Sequence, residues 1–295
     1  MELRQLRYAE AVARHRHFTR AAEELHVAQS ALSHQIRRLE AELGTELFSR
    51  TSRTVVPTEA GEAVAERARR VLAEVDGVRE EVDDLQGLVK GRVSIGALLP
   101  AGAIDVPALL SRFSHDHPGV DVLLREGTAG DMLRYLSRDE IDAAFSMLAS
   151  EAPDGLVAEP VSVEELVAFF PPGTAPGRGA VGATTLADRV IMTTRSGSAT
   201  MIAVEEFFEA AGAPLHVSCE SADPLMLWCL ASAGFGTAVL PRSLTAREGP
   251  PVDVRPLRPA VRLPVALLRR RDRRLSPAAR AFVEYAREAA TDGTA

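Results

Sequence analysis

Phe18-Thr19-Arg20-Ala21-Ala22-Glu23-Glu24-Leu25-His26-Val27-Ala28-Gln29-Ser30-Ala31-Leu32-Ser33-His34-Gln35-Ile36-Arg37-Arg38-Leu39-Glu40 is the stretch that decides the architecture of this 295-residue chain. Its first eight residues read as a short helix with Thr19 as N-cap. His26-Val27-Ala28 turns the chain, and a second helix runs from about Ser30 to Leu43, where Gly44 stops it. At about 100° per residue, Leu32, Ile36, Leu39 and Leu43 gather on one narrow stripe that needs a core. Ser30, Ser33, His34, Arg37 and Arg38 fall on the opposite side. Two helices joined by a short turn, the second with a hydroxyl- and Arg-bearing face, make a helix-turn-helix pattern. Arg takes a base bidentately or a phosphate, and Ser, His and Gln donate to either. A plain solvated helix face is the competing reading.

Downstream, Leu47-Phe48-Ser49-Arg50 and Thr54-Val55-Val56-Pro57 flank Thr51-Ser52-Arg53 as two short strands. Such a wing would bring Arg50 and Arg53 toward a DNA backbone, although a polar surface hairpin would look the same. From Thr58 to Leu88 the pattern becomes one long helix without Pro, ended by Gly87 and Lys90-Gly91. Thr58 can cap it, with Glu59 and Glu62 favourably placed in the first turn. Val64, Ala68, Val71, Val75, Val78, Val82 and Leu85 recur at threes and fours, forming a continuous seam. A lone helix has no core of its own, so this seam needs a partner. The partner is either the chain's own C-terminal part or a second copy.

Composition sets the outer limits. Hydrophobic content of 46% and charged content of 25% are globular and exclude disorder, collagen and a coiled-coil rod. No run approaches the ~18 apolar residues of a membrane span, and the polar start argues against export. Two cysteines, Cys219 and Cys229, fit a reducing cytoplasm and are expected to be buried small apolar residues. His15-x-His17 and His115-x-His117 lack metal-ligand spacing. No phosphate loop or nucleophile elbow is present, so neither cofactor, metal nor catalytic residue is expected. The net charge of −7 is unevenly spread: residues 1–57 carry nine Arg against seven Glu, so the acidity lies elsewhere. Nucleic-acid binding is therefore confined to the N-terminal piece.

The run from Leu3 to Gly61 resembles the LysR-type transcriptional regulators. The resemblance rests on Leu3-Arg4-Gln5-Leu6, Phe18-Thr19-Arg20-Ala21-Ala22, Leu25 to Ser33, Gln35-Ile36, Leu39-Glu40, Leu43-Gly44, Leu47-Phe48, Arg50 and Thr58-Glu59-Ala60-Gly61. Ser30, His34 and Ala9 depart from the commonest pattern, which has Pro, Arg and a large aromatic there. The resemblance implies an α/β protein: a winged helix-turn-helix domain (1–58), a linker and dimerisation helix (59–90) and an effector-binding domain (91–295). The last would have two lobes similar to type 2 periplasmic binding proteins, lobe one about 92–162 and 268–295, lobe two about 163–267. Its apolar runs alternate with amphipathic stretches, which suggests a mostly parallel sheet.

Double-stranded operator DNA would be met by Thr19, Gln29, Ser30, Ser33, His34, Arg37, Arg38, Arg50 and Arg53. Helix starts and strand ends would line an effector cleft, at Leu99, Pro100, Ala101, Thr128, Thr194, Arg195, Ser196, Ser198 and Asp223. Ordinary helix capping would explain the same hydroxyls. Leu99-Pro100-Ala101 stands where family members often have Ser or Thr, which suggests a more apolar small-molecule effector. The cysteines do not match the redox pair of the family's peroxide sensors. Expected partners are a second copy through the linker helix, a dimer of dimers, and RNA polymerase as a candidate, with no membrane. Arg269 to Arg274 is expected to be a solvated strand end. A transport binding protein or an enzyme on the same two-lobed fold are the rival classes; the helix-turn-helix disfavours the first, and the lack of convergent acid, base or nucleophile the second.

Overall fold

A computed structural model describes residues 1–50, 55–85, 89–98 and 104–291. Of the expected site positions, Arg53, Leu99, Pro100 and Ala101 lie outside the described residues, as does the linker-helix end at Gly87. The chain divides into two compact units, Met1–Leu88 and Val89–Ala295.

The first unit contains α1 (Leu3–His15), α2 (Phe18–Glu24), α3 (Gln29–Leu43), β1 (Phe48–Arg50), β2 (Val55–Pro57) and α4 (Glu59–Leu85). Glu2 and Gln5 cap α1 reciprocally, and Arg16 ends it in a left-handed conformation. The cap of α2 is His17, whose ring accepts from the Thr19 and Arg20 N–H groups. Thr19 is therefore inside the helix, not its cap. Helix α3 begins at Gln29, one residue earlier than expected. Leu32, Ile36 and Leu39 are fully buried with Val12, Phe18 and Ala21, but Leu43 is 41% exposed. Leu47 and Phe48, leading into the wing, close that end of the core instead.

The Glu40 carboxylate fixes the wing, accepting from the N–H groups of Leu47 (2.9 Å) and Phe48 (3.3 Å). β1 and β2 pair antiparallel. Thr58 caps α4 by accepting from the Gly61 N–H (3.0 Å), and its hydroxyl donates to the Glu46 carbonyl (2.8 Å). A Cβ at Gly61 would sit 1.9 Å from the Leu47 carbonyl oxygen, so only glycine lets α4 start against the wing. Along α4, Ala65 and Ala68 are buried, Val64 and Val75 half-buried, and Val71 and Val78 exposed.

The second unit runs β3 (Gly91–Ala97), α5 (Val106–Asp116), β4 (Val120–Glu126), α6 (Ala129–Ser137), β5 (Ala143–Met147), β6 (Leu156–Phe170), α7 (Ala183–Leu186), β7 (Ile191–Thr194), α8 (Ala199–Glu209), β8 (Val217–Ser221), α9 (Pro224–Ser232), β9 (Thr237–Pro241), β10 (Asp253–Arg270) and α10 (Pro277–Thr291). One sheet holds the strands in the order β4-β3-β5-β10-β6-β9-β7-β8. It is mixed rather than mostly parallel. β6 pairs antiparallel with β9 and β10, and β10 antiparallel with β5, while β3–β4, β3–β5, β7–β8 and β7–β9 are parallel. The long strands β6 and β10 pass from one lobe to the other, which forces their antiparallel pairing. β10 joins lobe one's sheet from Val265, where it meets Met147, three residues before the expected boundary at 268.

Helix α10 returns to lobe one, capped by Ser276, whose hydroxyl accepts from the Ala279 N–H, with Pro277 in its first turn. Phe113 packs edge-on against Phe282 and Tyr285 there (5.1 and 5.4 Å between ring centres). Cys219 is half-buried but Cys229 is exposed, so only the first behaves as a core residue. Among the described residues no helix is long and apolar enough to cross a membrane.

Arg271 and Arg274 are exposed as expected, but Arg269 and Arg270 at the end of β10 and Arg273 beyond it are not solvated. Arg269 and Arg287 both grip Glu159, Arg270 pairs with Asp139, and Arg273 pairs with Asp142 at 2.8 Å. Asp142 also accepts from the Ser94 N–H at 2.7 Å. Carboxylates at the ends of lobe one's strands thus draw in a run whose composition alone looks solvated. Replacing Asp142 by Ala strands the Ser94 N–H, while Arg273 keeps the Ile141 carbonyl and Asp139, and should lower unfolding free energy by about 1–3 kcal/mol in a denaturant titration.

In the first unit Arg14 ties α1 to α2 through Glu24 (2.6 and 2.9 Å), with His15 on the same carboxylate. These partners, Arg14 above all, pull the Glu24 carboxyl down to about 2. A depressed carboxyl stabilises above its unfolded value near 4.5 and loses that contribution as pH falls toward 2. The site is exposed, so the effect is below about 1 kcal/mol. The stability gap between wild type and Glu24→Gln should shrink steadily between pH 5 and pH 2.

Candidate nucleic-acid interface and effector cleft

Helix α3 separates its residues by face. Gln29, Ser30, His34, Arg37 and Arg38 are exposed, as is Thr19 on α2. Ser33 flanks the Leu32–Ile36 stripe and is only 5% exposed, its hydroxyl accepting from Arg37 (3.5 Å). It therefore steadies Arg37 rather than standing on the open face where the helical wheel places it. His34 and Arg38 have no hydrogen bond or ion pair among the described residues. Elsewhere in the unit Arg14 is neutralised by Glu10 and Glu24 and Arg4 by Glu2, while Arg7, Arg16 and Arg20 are exposed without an ion pair among the described residues. The modest positive balance of residues 1–57 thus reaches solvent partly through α3, where an anionic polymer could meet it. Arg50 is the last residue of β1.

In the second unit the two lobes face each other across a cavity of about 250 Å³. Lobe one contributes Leu98 after β3, Met147 at the end of β5 and the start of α6 at Thr128 to Gly130. Lobe two contributes Thr194 to Thr200 and Pro241, with Ala222 and Pro224 at the start of α9. The expected Thr128, Thr194, Arg195, Ser196 and Ser198 are brought together. Asp223 is not among that lining. It caps α9 through the Leu225 N–H (2.9 Å) and faces an adjoining cavity of about 460 Å³ with Glu126, Asp131 and Arg247.

Several hydroxyls are already committed. Thr128 caps α6 in a reciprocal box with Asp131, and these bonds hold the Asp131 carboxyl below its usual range. Ser198 caps α8 through the Met201 N–H (3.1 Å) and shares a hydrogen bond with Thr194 (2.7 Å). The Ser196 N–H donates to Glu220 (2.8 Å), and Arg195 extends into solvent. Met147, Thr200 and Pro241 line the cavity too, and sequence reasoning missed them. The positions of Met147 and Pro241 as last residues of central strands are the signal that could have found them. Glycine at 197, with φ of +80°, turns the chain sharply into α8.

Comparison with known proteins is consistent along the whole chain. Residues 3–62 match the model of bacterial regulatory helix-turn-helix proteins of the lysR family, and residues 86–291 match the LysR substrate binding domain. The chain is 31% identical over 291 residues to the RuBisCO operon transcriptional regulator of Allochromatium vinosum, covering 97% of this chain and 95% of that one. Among solved structures it resembles a full-length OxyR variant from Pseudomonas aeruginosa, with a TM-score of 0.76 and 26% identity over 98% of this chain and 94% of the other. It also resembles full-length CbnR solved with its target DNA, with a TM-score of 0.71 and 25% identity over 98% and 99%. A winged helix-turn-helix unit followed by a two-lobed domain, matched in both halves, places this chain in the LysR family of DNA-binding transcriptional regulators with an effector-binding domain.

Proposed function

We propose that this regulator reads operator DNA with His34, Arg37 and Arg38 on α3, while Thr19, Gln29, Ser30, Arg50 and Arg53 hold the backbone. Ser33 keeps Arg37 in place. The observation that carries this reading is the exposed cationic face of α3, opposite a fully buried apolar stripe. A small effector in the cleft between the lobes biases the balance between two DNA-bound arrangements. Leu99, Pro100 and Ala101 belong to this proposal as the apolar side of the site. The target DNA in the solved complex of CbnR supports the DNA half of the reading.

Dimerisation is assigned to α4, whose exposed Val71 and Val78 continue the seam past the buried Ala65 and Ala68. Pairing two copies doubles the contacts to one operator, and a dimer of dimers extends this to adjacent sites. The regulator acts in the cytoplasm, where its DNA is. The rival reading as an enzyme gains no support from the cleft, where Thr128 and Ser198 are engaged in caps.

Two outcomes check this reading. Arg38→Ala should weaken operator binding while leaving the thermal melt unchanged. Loss of a phosphate contact would lower the salt slope by about one, and loss of a base contact would cost about 1–3 kcal/mol and relax specificity. Fluorescence anisotropy across a salt series separates the two cases, and unchanged binding by Arg37→Ala and Arg38→Ala together removes the assignment of α3. Placing a charge on the seam with Val78→Glu should shift the full chain toward monomer in sedimentation. An intact dimer would move the contact elsewhere.

A further inference from the structure

We propose that His17 is a positioning residue of the DNA-reading unit: its neutral imidazole holds the start of α2 and releases it when the ring takes up a proton. This rests on the reading of α2 and α3 as the side that meets DNA.

Only Arg16 and His17 separate α1 from α2, and Arg16 closes α1 in a left-handed conformation with φ of 49°. His17 then turns Nδ1 onto the helix that follows, accepting from the N–H groups of Thr19 (3.2 Å) and Arg20 (3.5 Å). Among the described residues these bonds are the only side-chain cap of α2. An acceptor at Nδ1 needs its lone pair, so the hydrogen of the neutral ring sits on Nε2. A protonated ring carries hydrogen on both nitrogens and has nothing left to accept with. It would also set a positive charge at the positive end of the helix.

The residue type points the same way. Asn, Asp, Ser and Thr are the strong caps, and their oxygens stay acceptors at any physiological pH. Imidazole is the side chain whose charge changes between about pH 5 and 8. The surroundings offer a charged ring no compensation. Arg16 and Arg20 flank it as exposed cations without an ion pair among the described residues. The carboxylates of α2, Glu23 and Glu24, stand at its far end, and Glu24 is held by Arg14 and His15 of α1. On α3, Glu40 accepts from the Leu47 and Phe48 N–H groups, and the exposed face carries His34, Arg37 and Arg38.

What the cap holds is part of the DNA side. Phe18, the first residue of α2, is buried and packs edge-on against Phe48 of the wing, with ring centres 6.0 Å apart. Thr19, assigned to the DNA backbone, is exposed one residue further on. Freeing this turn loosens both the Thr19 contact and the link from α2 to the strand that ends at Arg50. Loss of a cap shifts a helix start about fivefold toward the frayed state. Affinity then falls with the fraction of molecules still competent to bind.

Fluorescence anisotropy of the full chain with a mixed-sequence DNA duplex tests this, because contacts to phosphates need no operator sequence. Three proteins are compared at pH 7.5 and pH 5.5: wild type, His17→Asn, whose amide oxygen replaces Nδ1 and does not titrate, and His17→Ala, which has no cap. His15, His26 and His34 are present in all three, so their protonation cancels in the ratios. Wild type should match His17→Asn at pH 7.5 and bind about two- to fivefold more weakly than it at pH 5.5. His17→Ala should already be weaker than wild type by that factor at pH 7.5. Hydrogen exchange of the Thr19 and Arg20 N–H groups should quicken in wild type relative to His17→Asn over the same step. A ratio that does not move with pH, unaltered exchange, or wild-type affinity in His17→Ala at pH 7.5 would each overturn the proposal. A ratio moving the other way, with the salt slope raised by about one, would make the charged ring a phosphate contact and not a released cap. Duplex binding that Arg37→Ala and Arg38→Ala together leave untouched would remove the DNA-side reading and this inference with it. Binding that they weaken, beside flat His17 ratios, would sink this inference alone.

Discussion

The pairing of β6 with β10 is the constraint on which the second unit depends. Its ladder runs from Asp253 opposite Phe170 to Arg270 opposite Leu156, and so extends through both lobes. Main-chain hydrogen bonds repeated over that length resist sliding of one lobe past the other. What they allow is twist and bend where the register breaks, between Pro256 and Val261 and between Val265 and Ala266. The second break falls where β10 takes up its partnership with β5. The walls of the cavity, α6 on one side and α8 on the other, belong to the two lobes that this spine joins.

Charge is distributed by the same logic of local neutralisation. Around lobe one, Glu159, Asp139 and Asp142 absorb Arg269, Arg270, Arg273 and Arg287. In the first unit, Glu10 and Glu24 absorb Arg14. Arg38 on α3 stays unpaired among the described residues, as do Arg7, Arg16 and Arg20 outside it, so the first unit keeps several cations open to solvent. An overall acidic chain can in this way present a basic reading surface.

The N-terminal unit is legible in the sequence because its signals are local. A 3.6-residue apolar period, a left-handed Gly44 and a short polar turn depend on neighbours in sequence, and they locate α2, α3 and the wing within a residue or two. Misreadings arise where a neighbour competes. Thr19 looks like a cap, but the helix starts two residues earlier than such a cap requires, and the His17 ring takes the N–H groups of Thr19 and Arg20. Leu43 looks like core, but Leu47 and Phe48 take its place. In the second unit, Thr128 and Ser198 at helix starts do line the cavity between the lobes, because caps and strand ends are visible in sequence. Their freedom to bind is not visible, since a cap consumes the oxygen that a ligand would need. Thr200, early in α8, carries no sequence mark at all, because burial is decided by what packs around the helix. The arginine run after β10 misleads for a related reason: its partners lie about 110 to 130 positions away.

The contact of Gly61 with the Leu47 carbonyl has a mechanical meaning. It welds the first turn of α4 to the wing, so the helix and the DNA-reading unit move as one rigid body near that joint. At about 1.5 Å per residue, the 27 residues of α4 make an arm of about 40 Å. A tilt of about 5° at the weld displaces the far end by about 3.5 Å, comparable to one base-pair step along a duplex. Leverage of this kind turns an angular change too small to disturb any hydrophobic contact into a change of spacing that an operator can register.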